Sequence, residues 1–335
     1  MFTKKYFISS FIVILILISG MIVKVSAREK YNYYIHINSK GSFYNLYING
    51  LEVENRSSVK HETISLPVNT SLVTGVNKIK ASYMPLIEKL GRNSYKIGPK
   101  EDFYISVELE RINLSTRDKV KISLLDIKFD MEKGNIISSV DDFNGKKRIF
   151  DGGDIKSTFE ITNGEDFFYS SFSKPMPAFS SYSLFQVTDV FPDFVWKNGK
   201  NIEIDSSLIK NLRAAYKDIY TDIERNDFNS VYSKLEPVWS HGSESLHLGT
   251  AKDFVEKNDV DKKYIKKTID GTVLGPLRLS NNLDGDIIQV LGDGKLVRIL
   301  PAPIKWYYEG TKKGKVAEIV FYMDKNGQLK PGAIM

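Results

Sequence analysis

The chain has 335 residues, a formal net charge of +6 and no cysteine. The lack of cysteine excludes disulfides, thiolate metal sites and a cysteine nucleophile, and so modest a positive charge does not indicate a nucleic-acid partner. The 19 Phe, 18 Tyr and 3 Trp residues supply apolar surface for substantial cores and argue against disorder, and the length suggests about two domains.

The first 27 residues have the pattern of an export signal. Lys4 and Lys5 form a basic start, residues 6–23 are uncharged, and residues 25–27 offer the small side chains that signal peptidase reads. We expect either cleavage after Ala27 or retention of residues 6–23 as a membrane anchor. Both outcomes predict an exported protein that is periplasmic or anchored in the inner membrane facing outward.

Residues 28–200 are predicted to form an all-β sandwich. The clearest signal is a hairpin in which Asn49-Gly50 selects a type I′ turn, because both central residues need a positive φ. The hydrophobic pattern then places Ile48 opposite Leu51 and Leu46 opposite Val53. Further strands are indicated at 33–37, 64–68, 76–83, 103–109, 120–129 and 158–161.

Two turns in this segment carry a resemblance to a known fold. Residues 46–50 end an apolar strand in Asn-Gly, and residues 75–77 open another strand with a Gly-x-Asn turn. Over roughly residues 31–130 this order resembles jelly-roll sandwiches of the galactose-binding-like kind. The resemblance implies a sandwich fold and, by analogy, a glycan partner.

Residues 167–196 are unusually rich in aromatic side chains. Aromatic side chains anchor protein interfaces, which makes Phe172, Phe179 and Tyr182 candidate interface residues. The alternative is that these rings close the sandwich core or its contact with the second domain, since large apolar patches are rarely left exposed.

Residues 201–335 are predicted to form an α+β domain, with helices first and a curved antiparallel sheet after them. An apolar stripe from Leu208 to Ile223 indicates a helix that begins after Asp205, and Asp227 and Thr250 are placed to cap two more helices. Strands are expected at 273–279, 287–291, 296–300, 304–308 and 316–323, with hairpin turns at Asp293-Gly294 and Asn326-Gly327.

The order of these elements resembles the cystatin-like cone of nuclear transport factor two-like domains. That resemblance is one of topology and covers about residues 205–335. It implies a pocket that serves catalysis in some members of the family and binding in many others.

The only two histidines close together in sequence are His241 and His247, with Glu244 between them. Two imidazoles and a carboxylate are zinc ligands in principle, but the spacing differs from His-Glu-x-x-His, in which helical positions i and i+4 converge. The surrounding Ser and Gly residues predict a loop between helices, so neither a metal site nor a cofactor is expected. A hydrolase that uses these three residues is kept as an alternative.

The sequence therefore favours an exported, non-enzymatic binding protein of the envelope. A protein partner is expected, and the most specific form of this hypothesis is an immunity-type protein that binds a secreted toxin. The alternatives are the hydrolase and an envelope protein that binds carbohydrate through its sandwich. Membrane contact is expected only through residues 6–23, if they are not cleaved.

Overall fold

The N-terminal part of the chain consists of antiparallel β-strands. A computed structural model describes residues 29–91, 94–98, 101–141, 147–151, 156–158 and 178–335. The strands of this part are β1 (Tyr31–Lys40), β2 (Ser42–Ile48), β3 (Leu51–Ser58), β4 (Glu62–Pro67), β5 (Gly75–Gly91), β6 (Ser94–Ile97), β7 (Tyr104–Asn113), β8 (Lys119–Asp130), β9 (Asn135–Asp141), β10 (Lys147–Asp151), β11 (Lys156–Thr158) and β12 (Ala178–Val187).

These strands form two sheets that pack face to face. The first sheet has the order β10-β9-β8-β7-β1-β4, and the second has the order β11-β12-β5-β2-β3, with β6 paired to the far end of β5. Alternate side chains of both sheets meet in one core, which includes Ile35, Val107, Leu46, Tyr83 and Phe185. The predicted sandwich is confirmed, because the period of two along each strand places one set of apolar residues between the sheets.

The hairpin of β2 and β3 confirms one predicted pair and corrects the other. Asn49 and Gly50 have φ values of 51° and 77°, as a type I′ turn requires, and Ile48 lies opposite Leu51. The predicted pairing of Leu46 with Val53 is wrong, because a β-bulge places Leu46 opposite Glu54. The bulge adds one residue to β3, and neither the turn nor the hydrophobic pattern indicated it.

The C-terminal part begins with helices α1 (Ser206–Glu224), α2 (Phe228–Ser245) and α3 (Ala251–Lys257). All three predicted caps are confirmed. The Asp205 carboxylate accepts a hydrogen bond from the Leu208 backbone N–H at 2.6 Å, and Asp227 accepts one from Ser230. Thr250 forms a reciprocal capping box with Asp253.

Seven strands follow in the described part of the chain: β13 (Val273–Leu274), β14 (Ile287–Leu291), β15 (Leu296–Leu300), β16 (Ile304–Tyr307), β17 (Gly314–Ala317), β18 (Ile319–Met323) and β19 (Leu329–Ile334). They form a sheet of order β14-β15-β18-β19 and a smaller sheet of order β13-β16-β17. Helices followed by antiparallel sheets confirm the α+β prediction. The strand predicted at 273–279 ends at Leu274, because Pro276 has no N–H for a strand ladder.

The predicted export signal, residues 1–27, lies outside the described residues. Within the described ranges, no helix combines the length and the apolar character that crossing a membrane requires. Cleavage after Ala27, membrane anchoring and export stay predictions from the sequence.

A buried apolar cluster joins the sandwich to the C-terminal part. Tyr47 and Leu51 of the β2–β3 hairpin pack in it with Leu291, Leu296 and Val320, and the linking segment contributes Phe194 and Trp196. The rings of Phe194 and Trp196 stack with their centroids 4.7 Å apart. These two aromatic residues therefore close the contact between the two parts, as the alternative interpretation of the aromatic segment had it.

A buried ion pair crosses the same joint. Arg298 of β15 is 4% exposed, and its guanidinium lies 2.8 Å from the Glu52 carboxylate of β3 and 3.0 Å from Glu318. Its Nε donates to the Gln289 side chain at 2.6 Å. Burial raises the pKa of Glu52, whereas the adjacent guanidinium acts to lower it. Because a buried arginine needs all of these acceptors, the network specifies how the two parts dock.

Gly50 and Gly75 form a matched pair that tests the close approach at the joint. Both have positive φ, but a Cβ on Gly50 would lie 2.7 Å from the Gly292 Cα, whereas a Cβ on Gly75 would have nothing within 4 Å. We expect Gly75→Ala to lower the free energy of unfolding by about 1–2 kcal/mol through backbone strain. Gly50→Ala should lower the free energy of unfolding by roughly 1–3 kcal/mol more than Gly75→Ala does, because its Cβ overpacks the joint. Urea unfolding measures both variants. Equal losses would contradict the close approach.

Candidate functional site

Three large apolar side chains lie exposed on the outer face of the second sandwich sheet. Successive residues of β12 alternate between the core and solvent, so that Tyr182 and Leu184 point outward while Phe185 points into the core. Register places Leu184 opposite Lys78 and Tyr182 opposite Lys80 on β5. Val76 lies one step further along β5, and the exposed fractions of Val76, Tyr182 and Leu184 are 57%, 47% and 49%. We call these three residues the apolar strip.

Two lysines of β5 flank the apolar strip. The Lys78 ammonium lies 5.2 Å from the centroid of the Tyr182 ring, within cation–π distance. Lys80 lies beside Tyr47, with its ammonium 6.0 Å from that ring centroid. The strip is therefore an apolar surface with a positively charged border.

A cleft of about 210 Å³ lies beside the strip, between the second sandwich sheet and the C-terminal part. Lys78 and Lys80 line one side of it, and the turn at residues 291–294 lines the other. The turn is held in place because the Gly292 N–H donates to the Gly50 carbonyl at 3.0 Å. The walls of the cleft thus come from two parts of the chain that the joint holds together.

The structure separates the three candidate interface residues. Tyr182 belongs to the apolar strip, and Phe172 lies outside the described residues. Phe179 lies on the other face of β12, partly buried, with its ring stacked on Tyr83 at a centroid distance of 6.0 Å. The surface that contains Tyr182 is completed instead by Leu184 and Val76, which are aliphatic and which the aromatic pattern does not indicate.

A loop was predicted at residues 241–247, but most of this group lies in a helix. Helix α2 continues to Ser245, so His241 and Glu244 are helical and only His247 follows the helix. The Ser- and Gly-rich sequence forms a helix because that side packs tightly: Gly242 is buried, and a Cβ at this position would lie 3.2 Å from the Phe254 ring. The predicted loop is therefore wrong, and tertiary packing is the reason.

The histidines of this group serve the contact between the two parts. His241 donates from Nε2 to the Thr70 carbonyl at 3.0 Å and lies against the Phe194 ring. The His247 Nε2 lies 3.3 Å from the Tyr31 carbonyl. Among the described residues, no group of three or more His, Asp or Glu side chains is arranged to hold a metal ion.

Glu244 and His247 line a second cleft, of about 560 Å³, at the junction of α2 with the sandwich. Glu29 and Asp189 line it as well, and His241 does not. Asp189 accepts a hydrogen bond from the Tyr33 hydroxyl. The three residues proposed from the sequence for hydrolysis are therefore divided between a buried contact and an acidic cleft.

His241 makes stability depend on pH. Burial lowers the pKa of His241 below its usual 6.5, so the unfolded chain binds a proton more readily than the folded chain does. The free energy of unfolding should therefore fall as the pH decreases below about 6.5. His241→Gln should remove this loss, as measured by urea unfolding between pH 7.5 and 5. His61→Gln, at an exposed ring, serves as the control, and the same pH dependence in all three proteins would contradict the assignment.

The chain matches no protein-family model, no curated protein and no solved structure. Its function has to be argued from its own residues. The sequence does hold a signal for the apolar strip, because both phases of this strand carry large apolar residues, Tyr182 and Leu184 in one and Phe185 and Val187 in the other. The β5 residues beside them, including Val76, lie about a hundred positions earlier in the chain. Only the pairing of β5 with β12 brings these residues together.

Proposed function

We propose that the chain is an exported, non-enzymatic binding protein of the envelope that binds another protein through the apolar strip. The observation that carries the proposal is the exposure of Val76, Tyr182 and Leu184 side by side on paired strands. Adjacent apolar side chains on a rigid surface lose unfavourable contact with water when a partner covers them. Interfaces commonly combine such a centre with a polar, solvent-accessible rim.

The composition of the strip favours a protein over a glycan. Sugar rings stack on open aromatic faces, but the Lys78 ammonium occupies one side of the only aromatic ring in the strip. Leu184 and Val76 offer no side-chain hydrogen-bond groups for sugar hydroxyls. Lys78 and Lys80 favour a partner with an acidic surface, because complementary charge accelerates association and suppresses wrong partners.

We propose an immunity-type role, in which the partner is a secreted toxin, as the specific form of this function. A protein that neutralises a toxin gains affinity when its binding surface is already ordered before contact. The paired strands beneath the strip and the buried joint beside it support such preorganisation. The export pattern of residues 1–27 supports a location where a secreted protein is met.

The proposal is tested with the full chain and two variants of equal chemistry. Leu184→Asp places a charge in the strip, and Val120→Asp places the same charge at a residue of β8 that is 52% exposed on the other sheet. A protein captured from envelope extract is identified and its affinity for each form is measured. We expect Leu184→Asp to weaken binding at least tenfold and Val120→Asp to leave it unchanged. Equal affinities, or retention only on a polysaccharide column, would refute the proposal.

A hydrolase is the second candidate, favoured by the cleft that Glu244 and His247 share with Asp189. A carboxylate and an imidazole are two of the side chains that act as general acids and bases. This candidate predicts that the full chain hydrolyses a member of a panel of ester, peptide and glycoside substrates, and that Glu244→Gln abolishes the activity. A hydrolysis rate that Glu244→Gln leaves unchanged would rule out the hydrolase candidate.

A further inference from the structure

The outer face of the smaller C-terminal sheet brings lysines together with apolar side chains. Lys267 forms a bridge with Val273, which pairs with Tyr307. One row along, Lys305 pairs with Val316. Directly opposite residues of an antiparallel pair point to the same side of a sheet, so these five side chains share one face. We call this face, with its flanking turns, the lysine-rich face.

The two segments that form the lysine-rich face and its flanking turns carry a net charge equal to that of the entire chain. One of their lysines, Lys315, lies opposite the buried Trp306 and so points to the other side of the sheet. Residues 262–275 contain four lysines and one aspartate, and residues 304–317 contain four lysines and one glutamate, a net charge of +6 in 28 residues. All of these lysines are exposed except Lys305, which is half-buried. In the part of the chain that the structure describes, ion pairs reach only Lys262 and Lys315. The remaining six lysines are not neutralised by a neighbouring carboxylate.

Ile269 is the most exposed large apolar side chain of this face, at 64%. It lies in a tight turn whose base is fixed: the hydroxyls of Thr268 and Thr272 lie 2.6 Å apart, both residues are buried, and the Thr268 N–H donates to the Thr272 carbonyl. The turn that joins β16 to β17 likewise presents Tyr308. The exposure of both side chains therefore comes from ordered turns.

We propose that the lysine-rich face docks on the phosphate headgroups of an anionic lipid bilayer. Lysines near such a surface are attracted to its negative charge, and neighbouring apolar side chains enter the boundary between headgroups and acyl chains. A soluble polyanion would engage the lysines but would leave Ile269 in water. A bilayer takes both kinds of side chain, and the six lysines without a carboxylate partner match the dense negative charge of its headgroups.

This inference is independent of the proposed protein partner, because it uses different residues. It departs from the expectation that the membrane is contacted only through residues 6–23, because it adds a second contact. Electrostatic attraction of a polybasic surface is a common second signal beside one hydrophobic anchor. The lysine-rich face would hold the C-terminal part against the membrane, whether residues 6–23 are cleaved or kept.

The absence of cysteine from the chain permits a direct test with the full protein. Ile269→Cys is labelled with an environment-sensitive fluorophore and mixed with vesicles of equal parts phosphatidylglycerol and phosphatidylcholine. We expect a blue shift that high salt reverses and that pure phosphatidylcholine does not produce. The same label at Val120→Cys should show no shift, because Val120 lies on the sandwich and not on the lysine-rich face. Any contact through residues 6–23 is common to both labelled proteins and cannot produce a difference between them.

Charge-matched variants show whether the lysines are responsible. Lys267→Gln, Lys312→Gln and Lys313→Gln together should weaken the vesicle titration roughly a hundredfold, about fivefold for each lysine. The control removes equal charge from exposed lysines elsewhere, at Lys128, Lys210 and Lys217, and should leave the titration unchanged. Equal shifts in neutral vesicles, equal effects of the two triple variants, or the same shift with soluble polyglutamate would each overturn the proposal.

Discussion

Replacement of Arg298 by Met is expected to lower the free energy of unfolding by about 3–5 kcal/mol. The guanidinium is buried and pairs with Glu52 across the joint and with Glu318 within the C-terminal part. Removing it leaves the Glu52 carboxylate buried without its counter-charge, and that is costlier than the loss of the pair itself. Urea unfolding at pH 7.5 measures the effect.

The cause of this loss can be separated from a simple packing defect. If the uncompensated charge is responsible, the double variant Arg298→Met with Glu52→Leu should recover most of the lost stability. Burial raises the pKa of Glu52, so the loss in the single variant should shrink as the pH falls and the carboxyl takes up a proton. A single variant within 1 kcal/mol of the wild type, or a double variant with no recovery, would contradict the role of the pair.

Replacement of Trp196 by Ala should also cost about 3–5 kcal/mol, because it empties the centre of the apolar cluster between the two parts. Trp196 is buried against Phe194 and shares its cluster with Tyr47 and Leu296. Tyr308→Ala removes an aromatic ring from an exposed position and should change the stability by less than about 0.5 kcal/mol. Urea unfolding followed by circular dichroism compares the two, and similar losses in both variants would show that Trp196 does not stabilise the joint.

Local signals were sufficient to predict most of the elements. The caps at Asp205, Asp227 and Thr250 act within four residues of sequence, and the Asn49-Gly50 turn needs only its own backbone conformation. Each is a short-range effect that one sequence window contains. The fold class followed because the apolar period changes from two to 3.6 between the two parts of the chain.

Tertiary packing decided the features that were predicted wrongly. The bulge that shifts Leu46 opposite Glu54 brings no change in apolar pattern, and it belongs to the end of the sheet that the C-terminal part covers. The helix around His241 and Gly242 continues because it packs against Phe254 and Phe194. Contacts of this kind join distant segments, and local propensity does not contain them.

Candidate surfaces were the hardest features to predict. The aromatic character of its segment indicates Tyr182, but the residues that complete the strip are Val76 of β5 and the aliphatic Leu184, which follows Tyr182 on the same face of β12. The lysines of the lysine-rich face form two groups about 40 positions apart, and each group alone resembles a solvated segment. Pairing of β13 with β16 places the two groups side by side at the smaller sheet.

Site-specific photo-crosslinking from the apolar strip tests the proposed binding function most directly. A benzophenone amino acid is placed at Leu184, or at Val120 as a control of similar exposure on the other sheet, in the full chain mixed with envelope extract. The binding proposal predicts a light-dependent adduct with one protein at position 184 and none at position 120. Absence of an adduct at 184, or the same adducts from both positions, would contradict the assignment of this strip as the binding surface.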